Sequence, residues 1–430
     1  MKPLARTALV LITGAVLIAA LLASTSPTGA APASAPEAPR FEVDPMWPKP
    51  LPHHWILGMA VGVAVDAQDH IWIVHRPNSL EYWETYAAQQ PPVADCCAPA
   101  PPVLEFDEDG NLINSWGGPG EGYDWPYSMH GISIDPDGNV WIGGNGRGRR
   151  KPPAVPFALG GPRPQAPQAP QAPNPRAPYH DCMIVKFTPQ GKFLMQIGKA
   201  GQSKGSNDVE NLRGPAKMWF DQAAHEVYVA DGYGNRRVIV FDYETGKYKR
   251  HWGAYGHTPS DEGFGTYTPP TESDPQFRNP VHCANLSNDR LLYVCDRINN
   301  RIQIFNPQGV FQKEYYYYTR TRGDGSVWDI AFSRDPEQRF IYFADGTNEK
   351  IRILDRKTMQ VLTSFGDGGR QPGEFYAVHS IATDSQGNLF TTETYRGQCV
   401  QKFIFKGLAP VTTLDQGAVW PPTAKSPLGK

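Results

Sequence analysis

The chain has 430 residues, with 41 Lys and Arg against 43 Asp and Glu, and a formal net charge of −2. Because the two signs are balanced and interspersed, the composition excludes the basic surface that nucleic acid or an anionic membrane would need. Glycine and proline contribute 42 residues each, which favours short strands and many turns over long helices.

The N-terminal segment, residues 1–35, is predicted to be a secretory signal peptide. Lys2 and Arg6 precede an apolar run from Ala8 to Ala23, and small residues suited to cleavage follow at 33–35. An uncleaved membrane anchor is the alternative, although the apolar run is short for a membrane span. The sequence therefore predicts an exported protein, periplasmic or extracellular, with no membrane contact once the signal is cleaved.

A lead-in segment, residues 36–56, is followed by six copies of an internal repeat over residues 57–406. Each copy contains short apolar segments separated by turn signals such as DG, QG and TG, with a period of about 40 residues, which is typical of propeller blades. Insertions fall at 78–102 in the first copy and 147–180 in the second, and residues 407–430 form a tail. The sequence predicts an all-β, six-bladed β-propeller.

The insertion in the second copy contains the run PRPQAPQAPQAPNPRAP, from Pro162 to Pro178. Proline at this density favours an extended, solvated backbone that cannot add a packed strand to the blade. We interpret the run as a surface excursion, with a lid or a partner-docking arm as the alternative.

The exported chain contains six cysteines, which are candidates for disulfide bonds. They are Cys96, Cys97, Cys182, Cys283, Cys295 and Cys399. Cys283 and Cys295 lie on consecutive predicted strands of the fourth copy, so antiparallel pairing would bring them together. The other four are expected on neighbouring loops, one of the vicinal pair bonding Cys182 and the other Cys399, although four cysteines can join in three ways. A thiolate metal site is the weaker alternative.

Three histidines occupy the same slot in the second, fourth and sixth copies. His130, His282 and His379 each stand five residues before an Asp or Ser that ends an apolar segment. Alternate blades of a closed six-bladed ring are turned by about 120°, so three imidazoles would converge on the central axis. Three imidazole ligands with an open position are typical of a catalytic metal. The slot predicts one divalent transition metal, with zinc favoured; the alternative is three unrelated histidines.

A second slot, at the end of each copy's second strand, contains Arg76, Tyr233 and Arg297. Arginine stays charged and binds carboxylates in a forked geometry, so the two arginines indicate a small anionic or polar organic substrate. A phenol beside guanidinium groups and a metal cation has its ionised form favoured, which would suit Tyr233 as a general base. Ordinary hydrogen bonding between blades is the alternative for these residues.

The segments VADGYGNRRVIVF and VCDRINNRIQIFNPQG resemble the NHL repeat of six-bladed propellers. A wider set of segments resembles the lyase domain of the peptide-amidating enzymes, peptidylglycine amidoglycolate lyase: IWIVHRP, MHGISID, VADGYGNRRVIVF, PVHCANL, CDRINNRIQIF and AVHSIATD. The resemblance implies zinc on the three histidines, Tyr233 as proposed base, and Arg76 and Arg297 as cations facing the substrate. Ser380 stands where that family has an Asp that helps hold structural calcium, so calcium is doubtful here.

Together these features predict a metal-dependent lyase that breaks a carbon–heteroatom bond in a small, hemiaminal-like α-hydroxy carboxylate. A hydrolase or hydratase with the same metal is one alternative, and a non-enzymatic NHL binding module is another, because a fold does not decide function. The family's HRG turn is HRP here, and both insertions are expected near the channel mouth. The substrate therefore need not be a hydroxyglycine peptide.

Overall fold

The computed structural model describes residues 35–148, 178–263, 265–269 and 274–416. These residues form a ring of six four-stranded antiparallel sheets and one small parallel pair of strands. The prediction of an all-β, six-bladed propeller is confirmed. The predicted signal peptide, most of the proline-rich insertion and the end of the tail lie outside the described residues. No helix within the described ranges has the length and apolar character needed to cross a membrane.

The strands follow one another around the ring in chain order. Before the first blade lie β1 (Glu37–Asp44) and β2 (Trp55–Ile56). Blade one consists of β3 (Met59–Val65), β4 (Ile71–Arg76), β6 (Val103–Phe106) and β7 (Leu112–Trp116), while β5 (Ala98–Pro99) pairs in parallel with β2. Blade two consists of β8 (Met129–Ile134), β9 (Val140–Gly144), β10 (Met183–Phe187) and β11 (Phe193–Gly198). Blade three consists of β12 (Lys217–Asp221), β13 (Glu226–Asp231), β14 (Arg237–Asp242) and β15 (Tyr248–Trp252).

The second half of the ring repeats this order. Blade four consists of β16 (Val281–Leu286), β17 (Leu292–Asp296), β18 (Arg301–Phe305) and β19 (Phe311–Tyr316). Blade five consists of β20 (Val327–Phe332), β21 (Phe340–Asp345), β22 (Lys350–Asp355) and β23 (Gln360–Phe365). Blade six contains β24 (Val378–Thr383), β25 (Leu389–Glu393) and β26 (Val400–Pro410). Short 3-10 helices lie at Pro77–Ser79, Tyr82–Ala88, Gln222–Ala224 and Ala254–Gly256.

The ring closes because β1 supplies the outermost strand of blade six, antiparallel to β26. The segment 36–56, which the sequence presents as a lead-in, thus contributes a blade strand, and β26 continues past 406 to Pro410. Phe41 and Val43 alternate with more exposed residues along β1 and are 2% and 0% exposed. Burying an aromatic side chain such as Phe41 stabilises the fold by about 1.5–3 kcal/mol, which accounts for the docking of this strand.

The disulfide between Cys283 and Cys295 is confirmed. The two residues are direct partners in the β16–β17 pairing, their Cα atoms lie 4.9 Å apart, and both are fully buried. The expected bonds from the vicinal pair to Cys182 and Cys399 are wrong, because Cys96 and Cys97 bond to each other. The other two thiols face their own chain segments: Cys182 donates to the Tyr179 carbonyl and Cys399 to the Val400 carbonyl, at 3.5 and 3.6 Å.

Removing the Cys283–Cys295 bond should destabilise the propeller. The bond closes a loop with a sequence separation of 12, so replacing both cysteines by alanine is expected to lower the free energy of unfolding by about 2–4 kcal/mol. Denaturant unfolding of the two proteins measures the difference. The matched control is Cys96→Ser/Cys97→Ser, whose bond spans a separation of 1 and constrains almost no chain entropy. Equal losses in the two double variants would contradict the loop-closure explanation.

Candidate metal centre

The slot residues are turned out of the regular ladder by β-bulges. In five of the six inner strands, the pairing with the second strand skips the slot residue; the five are Val61, His130, His282, Trp328 and His379. A bulge inserts an unpaired residue and redirects its side chain. Repetition of this feature around the ring places residues from alternate blades at the centre, where they can meet.

His130, His282 and His379 converge there. Their ring centroids lie 4.6 to 4.9 Å apart, and one nitrogen from each ring lies within 4.8 Å of the other two. Each side chain belongs to a residue only 2–3% exposed. Ligand nitrogens lie about 2.0–2.1 Å from a zinc ion, so small side-chain shifts would let a single ion bind all three.

The backbone fixes the tautomer of each imidazole. Each Nδ1 faces a main-chain carbonyl of the next slot around the ring: Ala216 for His130 at 2.9 Å, Trp328 for His282, and Val61 for His379 at 2.8 Å. A carbonyl oxygen only accepts hydrogen bonds, so each Nδ1 carries the proton and each Nε2 keeps its lone pair. The backbone carbonyls of the three slots without histidine therefore orient the three imidazoles.

The electrostatics of the centre keep these imidazoles neutral. Burial lowers the pKa of His130, His282 and His379 well below the ordinary value, and the guanidinium of Arg297 lowers all three further. Neutral imidazole is the form that binds a metal ion. The donor set thus fits a divalent transition metal in both its tautomers and its protonation.

Tyr233 lies directly against the histidines. Its hydroxyl oxygen is 2.7 Å from His130 Nε2 and 3.1 Å from His282 Nε2, and it accepts a hydrogen bond from Arg297 Nη1 at 3.3 Å. A phenol has one hydrogen and can donate to only one of these two nitrogens. The lone pair of the other Nε2 is left facing an oxygen without a hydrogen between them. A bound cation would give this lone pair a partner.

The Asp-Gly-Tyr turn of the repeat explains why Tyr233 reaches this position. Asp231, at the end of β13, accepts from Arg237 Nε at 2.9 Å, and both side chains are fully buried. Gly232 follows, where an added Cβ would lie 2.0 Å from the Val281 carbonyl oxygen. Only glycine lets the turn pack this tightly against β16, the strand that carries His282.

Arg297 lies between the two residues of the equivalent ion pair in blade four, directly after the Asp. Asp296 accepts from Arg301 Nε at 2.7 Å, again with both side chains fully buried. The guanidinium of Arg297 then stacks over the Trp328 ring, 4.5 Å from its centroid, and pairs with Asp324 at 3.1 Å. Asp324 was not among the residues predicted for the site, because its Gly-Asp-Gly context indicates a turn but not what the turn contacts.

Arg76 approaches the same centre from blade one. Its Nε donates to the Met129 carbonyl at 2.8 Å, beside His130, and its Nη2 donates to Asn145 at 3.0 Å. Among the described residues it forms no ion pair with a carboxylate. All six residues predicted from the sequence to form the site are therefore brought together by the fold.

Burial raises the pKa of Tyr233, and this effect outweighs the opposing influence of Arg297 and Arg76. The arginines favour the phenolate, as the sequence analysis expected, but burial sets the net direction. A cation on the adjacent imidazoles would act in the same sense as the arginines.

A buried ion pair joins two inner strands at the position directly after the slot residue. Lys217 Nζ is 2.5 Å from Asp329 Oδ2, and the hydroxyl of Ser380 donates to the same oxygen at 2.8 Å. Beyond this pair, a cavity of about 720 Å³ lies among the far ends of the inner strands, and none of the three histidines lines it. Lys217 and Asp329 could not be predicted as a pair, because nothing in their local pattern distinguishes them from other strand residues.

Fold and site together define a six-bladed β-propeller with three histidines converging at its centre. No protein-family model matches the chain. Among curated proteins, the chain is similar to the peptidyl-glycine α-amidating monooxygenase of Mus musculus, with 25% identity over 58% of this chain and 20% of the relative. It is also similar to peptidyl-α-hydroxyglycine α-amidating lyase 1 of Drosophila melanogaster, with 21% identity over 84% of this chain and 59% of the relative.

A third relative is NHL repeat-containing protein 3 of Mus musculus, with 21% identity over 76% of this chain and 70% of the relative. A solved structure of a Bacteroides thetaiotaomicron protein of unknown function covers 82% of this chain and 70% of its own, with 12% identity and a TM-score of 0.47. The chain spans between 20% and 34% of the three monooxygenase relatives it matches. The resemblance indicated by the motifs is confirmed: this six-bladed propeller has distant homologues named as amidating lyase and amidating monooxygenase.

Proposed function

We propose that this protein is an exported, metal-dependent lyase that cleaves the carbon–heteroatom bond of a small, hemiaminal-like α-hydroxy carboxylate. The observation that carries the proposal is the convergence of three Nε2 lone pairs beside the Tyr233 hydroxyl, in a buried site flanked by Arg76 and Arg297. The named lyase relative supports the reaction class. The disulfide bonds support export, because such bonds persist in oxidising compartments.

His130, His282 and His379 would hold the metal, and zinc suits an all-imidazole set with an open position. When bound, the ion supplies Lewis-acid polarisation of a substrate oxygen. The low dielectric of the buried site strengthens every electrostatic contact that the protein makes to the substrate.

Tyr233 is the base in this proposal. Its oxygen would take the proton from the α-hydroxyl group; the carbon–oxygen double bond then forms as the carbon–nitrogen bond breaks, and the proton returns to the departing nitrogen. For an N-acyl α-hydroxyglycine, the products are an amide and glyoxylate, so atoms and electrons balance. Arg297 donates to the Tyr233 oxygen at 3.3 Å and so stabilises the phenolate that proton transfer requires.

Arg76 is suited to act as a second cation that attracts an anionic substrate into the site. It has hydrogen bonds to the Met129 carbonyl and to Asn145, and no carboxylate partner within the described part of the chain. The uncompensated positive charge of this partly buried guanidinium would favour a negatively charged substrate in the site.

The proposal is tested with an N-acyl α-hydroxyglycine that carries a chromophoric acyl group. The purified protein should release glyoxylate and the amide; chelation of the metal should reduce the rate by at least about 100-fold, and added Zn²⁺ should restore it. A nitrophenyl ester assayed in parallel tests hydrolysis. Undiminished lyase activity in demonstrably metal-free protein would overturn the mechanism, and ester hydrolysis without glyoxylate release would favour the hydrolase alternative.

A further inference from the structure

The carboxylate of Asp324 lies between two donors at the mouth of the centre. Its Oδ1 accepts from Arg297 Nη2 at 3.1 Å and its Oδ2 accepts from the Tyr395 hydroxyl at 2.7 Å. The three residues come from different places: the turn after β17, the loop before β20, and the turn after β25. One small carboxylate thus bridges elements of three blades.

The cation in this bridge is fixed in place. Arg297 is 5% exposed, stacks over Trp328, and directs Nη1 to the Tyr233 hydroxyl. Its Nε is buried and has no hydrogen-bond partner within the described residues. The guanidinium is therefore held by its surroundings in an orientation that aims Nη2 at the mouth, whichever acceptor meets it there.

The acid in the bridge is the more exposed and replaceable partner. The Asp324 side chain is 43% exposed, against 6% for Arg297, and Asp324 lies between Gly323 and Gly325, whose φ angles are 66° and 75°. Tyr395 is 44% exposed and packs edge-on against Trp328. Two donors, one of them immobile, thus hold a carboxylate that is attached to a glycine-flanked turn and reachable by solvent.

We propose that Arg297 and Tyr395 form a subsite for small carboxylates, which Asp324 occupies in the free protein, and that a bound carboxylate displaces Asp324. An ionised carboxylate is an acceptor-only group that suits a guanidinium and a phenol together. The subsite lies beside Tyr233 and so deepens the proposed function, on which it rests for the identity of the substrate. Asp324 competes with anionic ligands and does not compete with neutral ones.

Glycolate and its neutral analogue glycolamide are the probes, titrated calorimetrically into the purified holoprotein. Asp324→Asn removes the internal competitor and its negative charge, so glycolate should bind on the order of 10-fold more tightly, while glycolamide binding stays unchanged. Tyr395→Phe should weaken glycolate binding, because one donor is lost. Any contact of the probes with the metal is shared by all variants and cancels in the comparison.

Asp109→Asn is the matched control, since it removes the same charge from an exposed residue of blade one and should leave glycolate binding unchanged. If Asp324→Asn binds glycolate as weakly as the wild type or more weakly, Asp324 serves to position Arg297 and the inference is overturned. Glycolate binding requires no turnover, so this result and the lyase assay succeed or fail separately.

Discussion

A His282→Ala variant should keep the propeller fold but lose both the bound metal and turnover. His282 supplies one of three converging nitrogens, and its Nδ1 is held by the Trp328 carbonyl. Removing a hydrogen-bond partner outside the ligand sphere typically costs 10- to 100-fold in metal affinity, so loss of a ligand should cost more than about 100-fold. Elemental analysis should find about one transition metal per wild-type chain and almost none in the variant, with activity falling in parallel.

The matched control for this prediction is His257→Gln, which replaces an exposed histidine outside the site and should retain metal and activity. Thermal unfolding of both variants establishes that the fold persists, because the disulfide next to His282 still braces β16 against β17. Full metal content in His282→Ala, with normal turnover, would remove the three-histidine centre from the mechanism.

The parts of the site that repeat could be predicted from the sequence. A six-fold repeat fixes the angle between blades, so identical slots in alternate copies must face one another; His130, His282 and His379 follow from that symmetry. Tyr233 and Arg297 follow from the same logic, since each lies in the turn between the Asp and the Arg of an ion pair of the repeat. The bulges that redirect the slot side chains have no sequence signal of their own, but they recur at the same position of the repeat.

The parts that break the repeat could not be predicted. Asp324 reaches Arg297 only because of the path of one loop, and Tyr395 meets it from a different blade. The predicted pairing of Cys96 and Cys97 with Cys182 and Cys399 is wrong for a similar reason. That two loops are neighbours in the ring does not determine which way their thiols point. The closing strand β1 has an alternating pattern, yet its partner β26 lies more than 350 residues away in the register that joins Glu37 to Pro410, and no local signal encodes that pairing.

Tyr233→Phe should abolish most turnover while leaving the metal in place. The substitution removes only the hydroxyl that lies 2.7 Å from His130 Nε2, so all three imidazole ligands and the buried ring remain. Loss of a general base lowers kcat by about 10²- to 10⁴-fold. A base must be deprotonated to act, so the wild-type rate should rise with pH as the phenol ionises, and the residual rate of the variant should lack that rise. Rate–pH profiles of the two proteins, with metal content measured on the same samples, check both statements.

Tyr376→Phe is the control, because Tyr376 is a surface phenol, 38% exposed, and should leave rate and metal unchanged. Two results of the Tyr233→Phe experiment would contradict the assignment in different ways. Unchanged kcat would exclude Tyr233 as the base. Loss of metal together with activity would make the phenol oxygen a ligand, which its contacts of 2.7 and 3.1 Å with two imidazole nitrogens would then explain. Retained metal with lost turnover is the result expected if Tyr233 is the base, because the hydroxyl is then needed for proton transfer and not for binding the ion.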